Sequence, residues 1–330
     1  MYPEKILKTK TAHRVFFIIS FLFLYGTLFS QWTESVCGNN NWLIASVLFT
    51  DLQTGYVSAV DKDLNCTVYR SVNGGESWEN NYQLPSQKFI TCLFFPDNLT
   101  GFGIGSPGTF VKTTNSGISW DLINTQMVGQ YGSLYFLDTQ TGFAAGGNEK
   151  GDKGFISATF NGGTNWNIIY REGYGYYCVY FTDSYTGYVS GNGGILLKST
   201  DAGSSWNRIY SAGLYSLTGI KFVDNNTGFI FGGNAAGSKG IILKTTDAGL
   251  TWVKKDAPAA LNSAYFINNT TGYAAGNSGM IINTTDGGEN WDVVPSGTNN
   301  ILLSVHFIDE NRGFITGNNG VFLKTGSKGK

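Results

Sequence analysis

Histidine is almost absent from this 330-residue chain: there are two, and one of them lies within the first thirty residues. The other, His306, cannot by itself build a multi-histidine metal site, and no Cys-x-x-Cys spacing offers a sulfur alternative. A Ser–His–Asp arrangement would have to use His306, one residue before a repeated phenylalanine, Phe307. At the same register of the repeat stand Leu48, Phe94, Tyr135, Tyr180, Lys221 and Tyr265, so His306 and Lys221 belong to a variable row rather than to a catalytic constellation. Arginine is nearly as scarce, with only Arg70, Arg171, Arg208 and Arg312 after residue 30. The four cysteines, Cys37, Cys66, Cys92 and Cys178, show no metal-ligand pattern. No catalytic residue, metal or cofactor is expected.

A long apolar run occurs once. Lys5, Lys8, Lys10 and Arg14 precede the stretch 15–29, and Ser30-Gln31 is a plausible cleavage point. Residues 1–30 therefore read as a secretory signal peptide, the alternative being an uncleaved N-terminal anchor. Taking Lys5, Lys8, Lys10, Arg14 and Glu4 from the 22 basic and 23 acidic residues leaves 18 against 22, a net of −4. Such a balance gives no electrostatic footprint for nucleic acid. A secreted or periplasmic monomer, not membrane-spanning once the leader is cleaved, is expected.

What the chain does have is a period. Trp32, Trp78, Trp120, Trp166, Trp206, Trp252 and Trp291 are spaced by 46, 42, 46, 40, 46 and 39 residues, and only Trp42 stands outside the series. A repeat of about 40–45 residues is the length of a propeller blade, a four-stranded unit that cannot bury its faces alone. A second marker keeps step, as in Phe49-Thr50-Asp51 with Thr54-Gly55-Tyr56, and recurs from Phe95, Phe136, Phe181, Phe222, Phe266 and Phe307. It reads as a tight turn: an aromatic ends a strand, Asp or Asn caps the turn, and Gly is expected to supply positive φ before the next strand.

Six of the tryptophans end the motif Ser/Thr-x-Asp/Asn-x-Gly-x-x-Trp, whose acidic or amide position is Asn73, Asn115, Asn161, Asp201, Asp247 and Asp286. Here the side chain can satisfy loop donors, the Gly takes the left-handed position, and the Trp anchors the hairpin. These residues are structural. With seven turns but six boxes, the last blade lacks a fourth strand, and the segment 31–36 carrying Trp32 supplies it by pairing with 321–325, removing two exposed edges. The expected fold is all-β: one seven-bladed propeller over residues 31–330, its ring closed by the N-terminal strand. In it, Cys37 and Cys66 share one face and could form a disulfide. Cys92 and Cys178 fill a small-residue position held elsewhere by Ser46, Ser133, Gly219, Ser263 and Ser304, as thiols.

The boxes are similar to the Asp-boxes of sialidase-like propellers. That enzyme class needs an arginine triad and an Arg-Ile-Pro motif, which this chain does not have. Joined, the two markers resemble the photosystem II stability/assembly factor-like propellers over essentially residues 31–325. The resemblance implies a non-catalytic, lumenal or periplasmic binding protein that escorts a membrane-protein partner. Photosynthetic members of the family use an arginine-rich patch, from which this arginine-poor chain departs.

Recognition is expected on the face opposite the boxes, where the loops vary. Trp42, Tyr131, Tyr174, Tyr177 and Tyr215 are the candidate contacts there, suited to a protein partner or to a glycan. The same rings could instead cap the blade seams. Glycoside hydrolysis would require paired carboxylates; the acids near this face, Asp61, Asp63, Glu149, Asp152, Glu172 and Asp256, are scattered among lysines. A protein-binding scaffold and a carbohydrate-binding or sialidase-like propeller are the two function classes left open.

Overall fold

Seven antiparallel four-stranded sheets stand side by side, each made of consecutive strands except the last. The computed structural model describes residues 32–38 and 41–325. The signal peptide expected over 1–30 lies outside the described residues. Blade one comprises Asn41–Phe49, Gly55–Asp61, Cys66–Ser71 and Glu79–Gln83. Blade seven comprises Leu302–Phe307, Gly313–Gly317 and Phe322–Thr325, and its fourth strand is Trp32–Glu34, paired Trp32 to Thr325 and Glu34 to Leu323. The ring is thus closed as the missing box predicted.

Aromatic side chains join each blade to the next by one repeated arrangement. The tryptophan edge meets the face of its own blade's repeat phenylalanine in all seven blades, from Phe49–Trp78 at 5.6 Å to Phe222–Trp252 at 6.4 Å. Trp32 makes this contact with Phe307, which identifies it as the seventh member of the series. The phenylalanine stacks in turn on the aromatic that follows the Thr-Gly pair of the preceding blade, as in Phe95 on Tyr56 at 4.4 Å and Phe136 on Phe102 at 3.7 Å. Offset-stacked and edge-to-face pairs of this kind are the favoured aromatic geometries. The core is accordingly a set of seven seams between blades.

The turns cap as expected. Asp51 Oδ1 accepts the backbone N–H groups of Gln53 and Thr54, both at 2.7 Å, and the other turn acids repeat the pattern. The reason for the turn glycine needs correction. Gly55, Gly101 and their equivalents are not among the positive-φ residues. A Cβ on any of the seven would instead lie 2.3–2.7 Å from the ring of the repeat phenylalanine. Close approach, not φ, excludes a side chain.

In the boxes the hydroxyl and the acid act together. At blade five Gly249 N–H donates to Thr245 Oγ1 at 2.9 Å, while Thr245 Oγ1 and Thr251 N–H both donate to Asp247 Oδ1. Hydroxyl and backbone donors hold Asp201, Asp247 and Asp286 down at about 2: Ser205 foremost for Asp201, Thr251 for Asp247 and the Asn290 N–H for Asp286. Unfolded aspartate titrates near 3.9, so this lowering adds stability that is present above about pH 4 and is lost as pH falls toward 2. Asn73, Asn115 and Asn161 accept the equivalent bonds without a charge. The triple variant Asp201→Asn, Asp247→Asn, Asp286→Asn is therefore expected to lose less melting temperature between pH 4 and 2 than the parent. An equal loss in both would remove the box acids from the acid response.

Cys37 and Cys66 are not bridged. Cys37 is buried with Ile44, Phe314 and Phe322 in the seam between blades seven and one, and Cys66 with Val60, Val68 and Ile90 in the seam between blades one and two. The two sulfurs thus sit in different seams, separated by the first blade.

Candidate partner-binding face and central channel

The two faces of the ring differ in what their side chains are free to do. On the box face, each box is tied to its own first turn, as in Gly74 N–H to Gln53 O and Ala202 N–H to Tyr185 O. The basic residue before the box Ser/Thr reaches across to the next blade's box: Arg70 to Ser116 O, Lys112 to Gly162 O, Lys198 to Ala248 O and Lys244 to Gly287 O, at 2.7–3.1 Å. Lys324 of the last blade does so through the Glu76 carboxylate of the first, at 3.1 Å. The sequence shows the basic residue only as a position recurring just before the Ser/Thr in five blades; its partner lies in another blade. Most motif cations are thereby committed to holding the ring.

On the opposite face the loops hold themselves. Asp61 Oδ1 accepts the N–H groups of Asp63 and Asn65; Asn148 caps Asp152 and Lys153; Asn234 caps Lys239. Glu172 is held by the Tyr170 hydroxyl and lies 3.6 Å from Arg208, and Asp256 lies 3.1 Å from Lys254. Tyr176 donates its hydroxyl to Glu172 O at 2.6 Å. Five of the six acids named on this face thus have local roles, Asp63 as the ion-pair partner of Lys62.

The candidate aromatic contacts separate into two groups. Trp42, Tyr174 and Tyr177 are exposed, at 53%, 54% and 39%. Tyr131 is only 2% exposed, its hydroxyl 3.1 Å from Ser157 Oγ and its ring against Phe155. Burial pushes its phenol up. It is a seam residue, which corrects its expected role as a free contact. Tyr215 is half-buried in the seam between blades four and five, with the Lys254 ammonium 4.8 Å from its ring centre.

Tyr131 and Tyr177 nonetheless meet around one pocket of about 320 Å³. Thr91 and Ser106 of blade two, Gln130 and Gly132 of blade three, the loop 147–151 and the strand start 175–177 of blade four complete its wall. Glu149 and Lys150 stand on the loop side. Tyr174 is adjacent, its ring over the backbone of Gly193 and its carbonyl against Gly154. Trp42 and Tyr215 line no part of it. Gln130, Lys150 and the wall glycines carried no signal in the sequence beyond the length of the loop.

Gly132 and Tyr177 also line the central channel, a cavity of about 460 Å³ bounded by the first strands of all seven blades. The small-residue row of the repeat ties neighbouring blades here: Ser304 Oγ accepts Val47 N–H, Ser263 Oγ accepts Val305 N–H, and Ser133 Oγ accepts Val179 N–H. His306 Nε2 accepts the Phe49 N–H at 3.2 Å across the closing seam. Burial, with Lys221 nearby, lowers its titration to about 3, so the ring is neutral. Cys92 and Cys178 are thiols in the same row, as expected, and burial pushes both up, Cys92 to about 11. His306 is a structural acceptor, and neither thiol is activated.

Comparison with curated proteins returns no match. The family model described as photosynthesis system II assembly factor YCF48 matches residues 214–298 and 260–326. Among solved structures, YCF48 bound to D1 peptide aligns with a TM-score of 0.69 at 18% identity, covering 90% of this chain and 97% of that one. YCF48 from Cyanidioschyzon merolae aligns with a TM-score of 0.69 at 18% identity, covering 91% and 99%. The GH74 xyloglucanase from Xanthomonas campestris also reaches 0.69, at 12% identity, but although 91% of this chain aligns, it spans only 54% of that enzyme. At these identities the structural matches speak for the fold alone. No helix among the described residues is long and apolar enough to cross a membrane. With its seven closed blades the chain is a β-propeller, and its part from residue 214 to 326 is similar to the photosystem II assembly factor family.

Proposed function

We propose that the chain is a non-catalytic escort protein, acting in the periplasm or after secretion, that holds an extended segment of a protein client on its variable-loop face. The observation that carries this is the pocket beside Tyr177. Gly132, Gly147, Gly151 and Gly175 stand in its wall among the polar side chains of Thr91, Gln130 and Asn148, beside the half-exposed Tyr177 ring. Polar side chains of this kind can bond the main chain of a peptide, and a ring of this exposure provides contact area at little entropic cost. The solved relative with a bound peptide supports a protein rather than a glycan as the client. So does the local engagement of the acids on this face, since a glycosidase would keep two carboxylates free to face one sugar. The basic and apolar leader supports the location.

The test is site-directed photo-crosslinking in the cell envelope, with the reactive residue at Tyr177 or, on the box face, at Leu250. Client adducts are expected at 177 and not at 250; the reverse would move the site to the boxes. Tyr177→Ala and Tyr174→Ala should each weaken client capture about tenfold, the ~1.4 kcal/mol of a contributing interface ring. Their melting temperatures should stay within a degree or two of the parent. Unchanged capture with a lowered melting temperature would make both rings part of the blade packing.

A further inference from the structure

The first strands that wall the channel present a ring of side chains one residue before each repeat phenylalanine: Leu48, Phe94, Tyr135, Tyr180, Lys221, Tyr265 and His306. Three neighbouring pairs of rings in this row are in contact. Phe94 lies 5.0 Å from Tyr135, Tyr135 5.4 Å from Tyr180, and Tyr265 4.8 Å from His306. The sequence of rings is interrupted at Lys221, whose ammonium sits 6.0 Å from the centre of the Tyr180 ring. No aspartate or glutamate lines the channel among the described residues. His306 is neutral there, so Lys221 supplies the only charge.

This lysine differs from the other cations of the repeat. Arg70, Lys112, Lys198, Lys244 and Lys324 are each spent on the next blade's box. Lys221 has no hydrogen bond or ion pair among the described residues, although at its own level the channel is lined by Leu48, Phe94, Tyr135, Tyr180, Tyr265 and the neutral His306. A cation without a partner in such a cavity is unfavourable for folding and attractive to an anion, because the low-dielectric walls focus its field. Aromatic faces on either side favour a flat apolar body next to that anion.

We propose that the central channel is a binding site for a carboxylate carried on a flat or aromatic body, with Lys221 pairing the carboxylate and Tyr180 and Tyr265 flanking the body. The ligand enters at the end marked by Gly132, Tyr177, Thr218 and Asn262, the variable-loop end of the first strands. The site is separate from the client pocket, although Gly132 and Tyr177 border both, and it does not depend on the escort reading. The same chemistry is offered by a small free acid and by the C-terminal carboxylate of a chain ending in an aromatic residue.

Titration calorimetry of the residue 31–330 protein with benzoate tests the site. Saturable binding is expected, at least tenfold weaker in Lys221→Met and regained in Lys221→Arg. In the unmutated protein, benzoate should also protect Lys221 from acetylation, read by peptide mass, which keeps the test open if the methionine variant folds poorly. A short peptide ending in phenylalanine is then offered as the free acid and as the amide. Displacement of benzoate by the free acid but not the amide assigns a chain terminus; no displacement by either assigns a small acid. The proposal is overturned if benzoate binds equally to Lys221→Met, if free acid and amide both displace benzoate to the same extent, or if neither benzoate nor the free-acid peptide binds saturably.

Discussion

Replacing Trp32 by alanine is expected to destabilise the protein by about 3–5 kcal/mol, whereas Trp42→Ala should stay within about 0.5 kcal/mol of the parent. The two tryptophans are ten residues apart, and only their places in the ring differ. Trp32 is 2% exposed, with its edge on Phe307 at 5.8 Å and on Tyr273 at 6.1 Å, in the cluster that joins blades six and seven. Trp42 is outside the series and exposed. Loss of Trp32 also weakens the strand that carries it, which is only three residues long and is held by its register with Phe322–Thr325 and by Ser35 N–H to Phe322 O at 2.8 Å. Deleting residues 32–36 should go further, exposing the edge of Phe322–Thr325 and leaving a protein that aggregates on refolding. Urea unfolding of the two single variants, with light scattering for the deletion, gives the comparison. Equal stability of Trp32→Ala and Trp42→Ala would mean that the ring does not depend on its closing strand.

Gly203→Ala is the second large effect, expected at about 2–5 kcal/mol. Gly203 has φ +79°, a left-handed conformation that costs an L-residue about 1–2 kcal/mol. A Cβ there would also lie 2.4 Å from the ring of Phe143, which is fully buried and packed on Phe181 at 4.6 Å. The box cannot swing away, because Trp206 Nε1 donates to Gly203 O at 3.1 Å and Gly203 N–H donates to Ser199 Oγ at 2.9 Å. Overpacking of this kind adds about 1–3 kcal/mol. Gly213→Ala is the control. Its φ is +66° but a Cβ would meet nothing within 4 Å, so only the backbone cost of about 1–2 kcal/mol applies. If the two variants melt together, the box glycine is there for its dihedral alone and the contact with the preceding blade is not a stabilising element.

The candidate site was less legible than the fold, and Tyr131, Tyr176 and Tyr177 show why. An expectation that a tyrosine on this face is free depends on the two-residue alternation of a strand. Blade three has a bulge between Tyr131 and Ser133, and blade four has one between Tyr176 and Cys178. A bulge adds a residue to one strand and resets which side chain faces inward. Tyr176 is consequently buried and Tyr177 exposed, while Tyr131 turns into the seam. The same bulge recurs at this register in all seven blades, where Ile44, Ile90, Leu217, Leu261 and Leu302 are the buried equivalents of Tyr131 and Tyr176, so the repeat alignment and not the strand alternation carried the signal. The Cys37–Cys66 pairing failed for a related reason: a shared end of the propeller does not imply a shared seam, and the first blade stands between the two sulfurs.

By itself the sequence determined whatever repeats. The spacing of Trp78 to Trp291, the Asp51-type turns and the Asp247-type boxes are local, because a side chain two to four residues away can satisfy a turn, and seven copies of a unit with two apolar faces have few ways to bury them except in a ring. The missing seventh box even named Trp32 as the closing strand. Only the tertiary structure decided what depends on a neighbouring blade. It turned the motif lysines onto the next blade's box carbonyls and left Lys221 beside the Tyr180 ring without an ion-pair partner among the described residues. The lysine contacts join residues some 40–50 positions apart, so no local pattern encodes them, and which cation is spent and which is free is settled only when the ring closes.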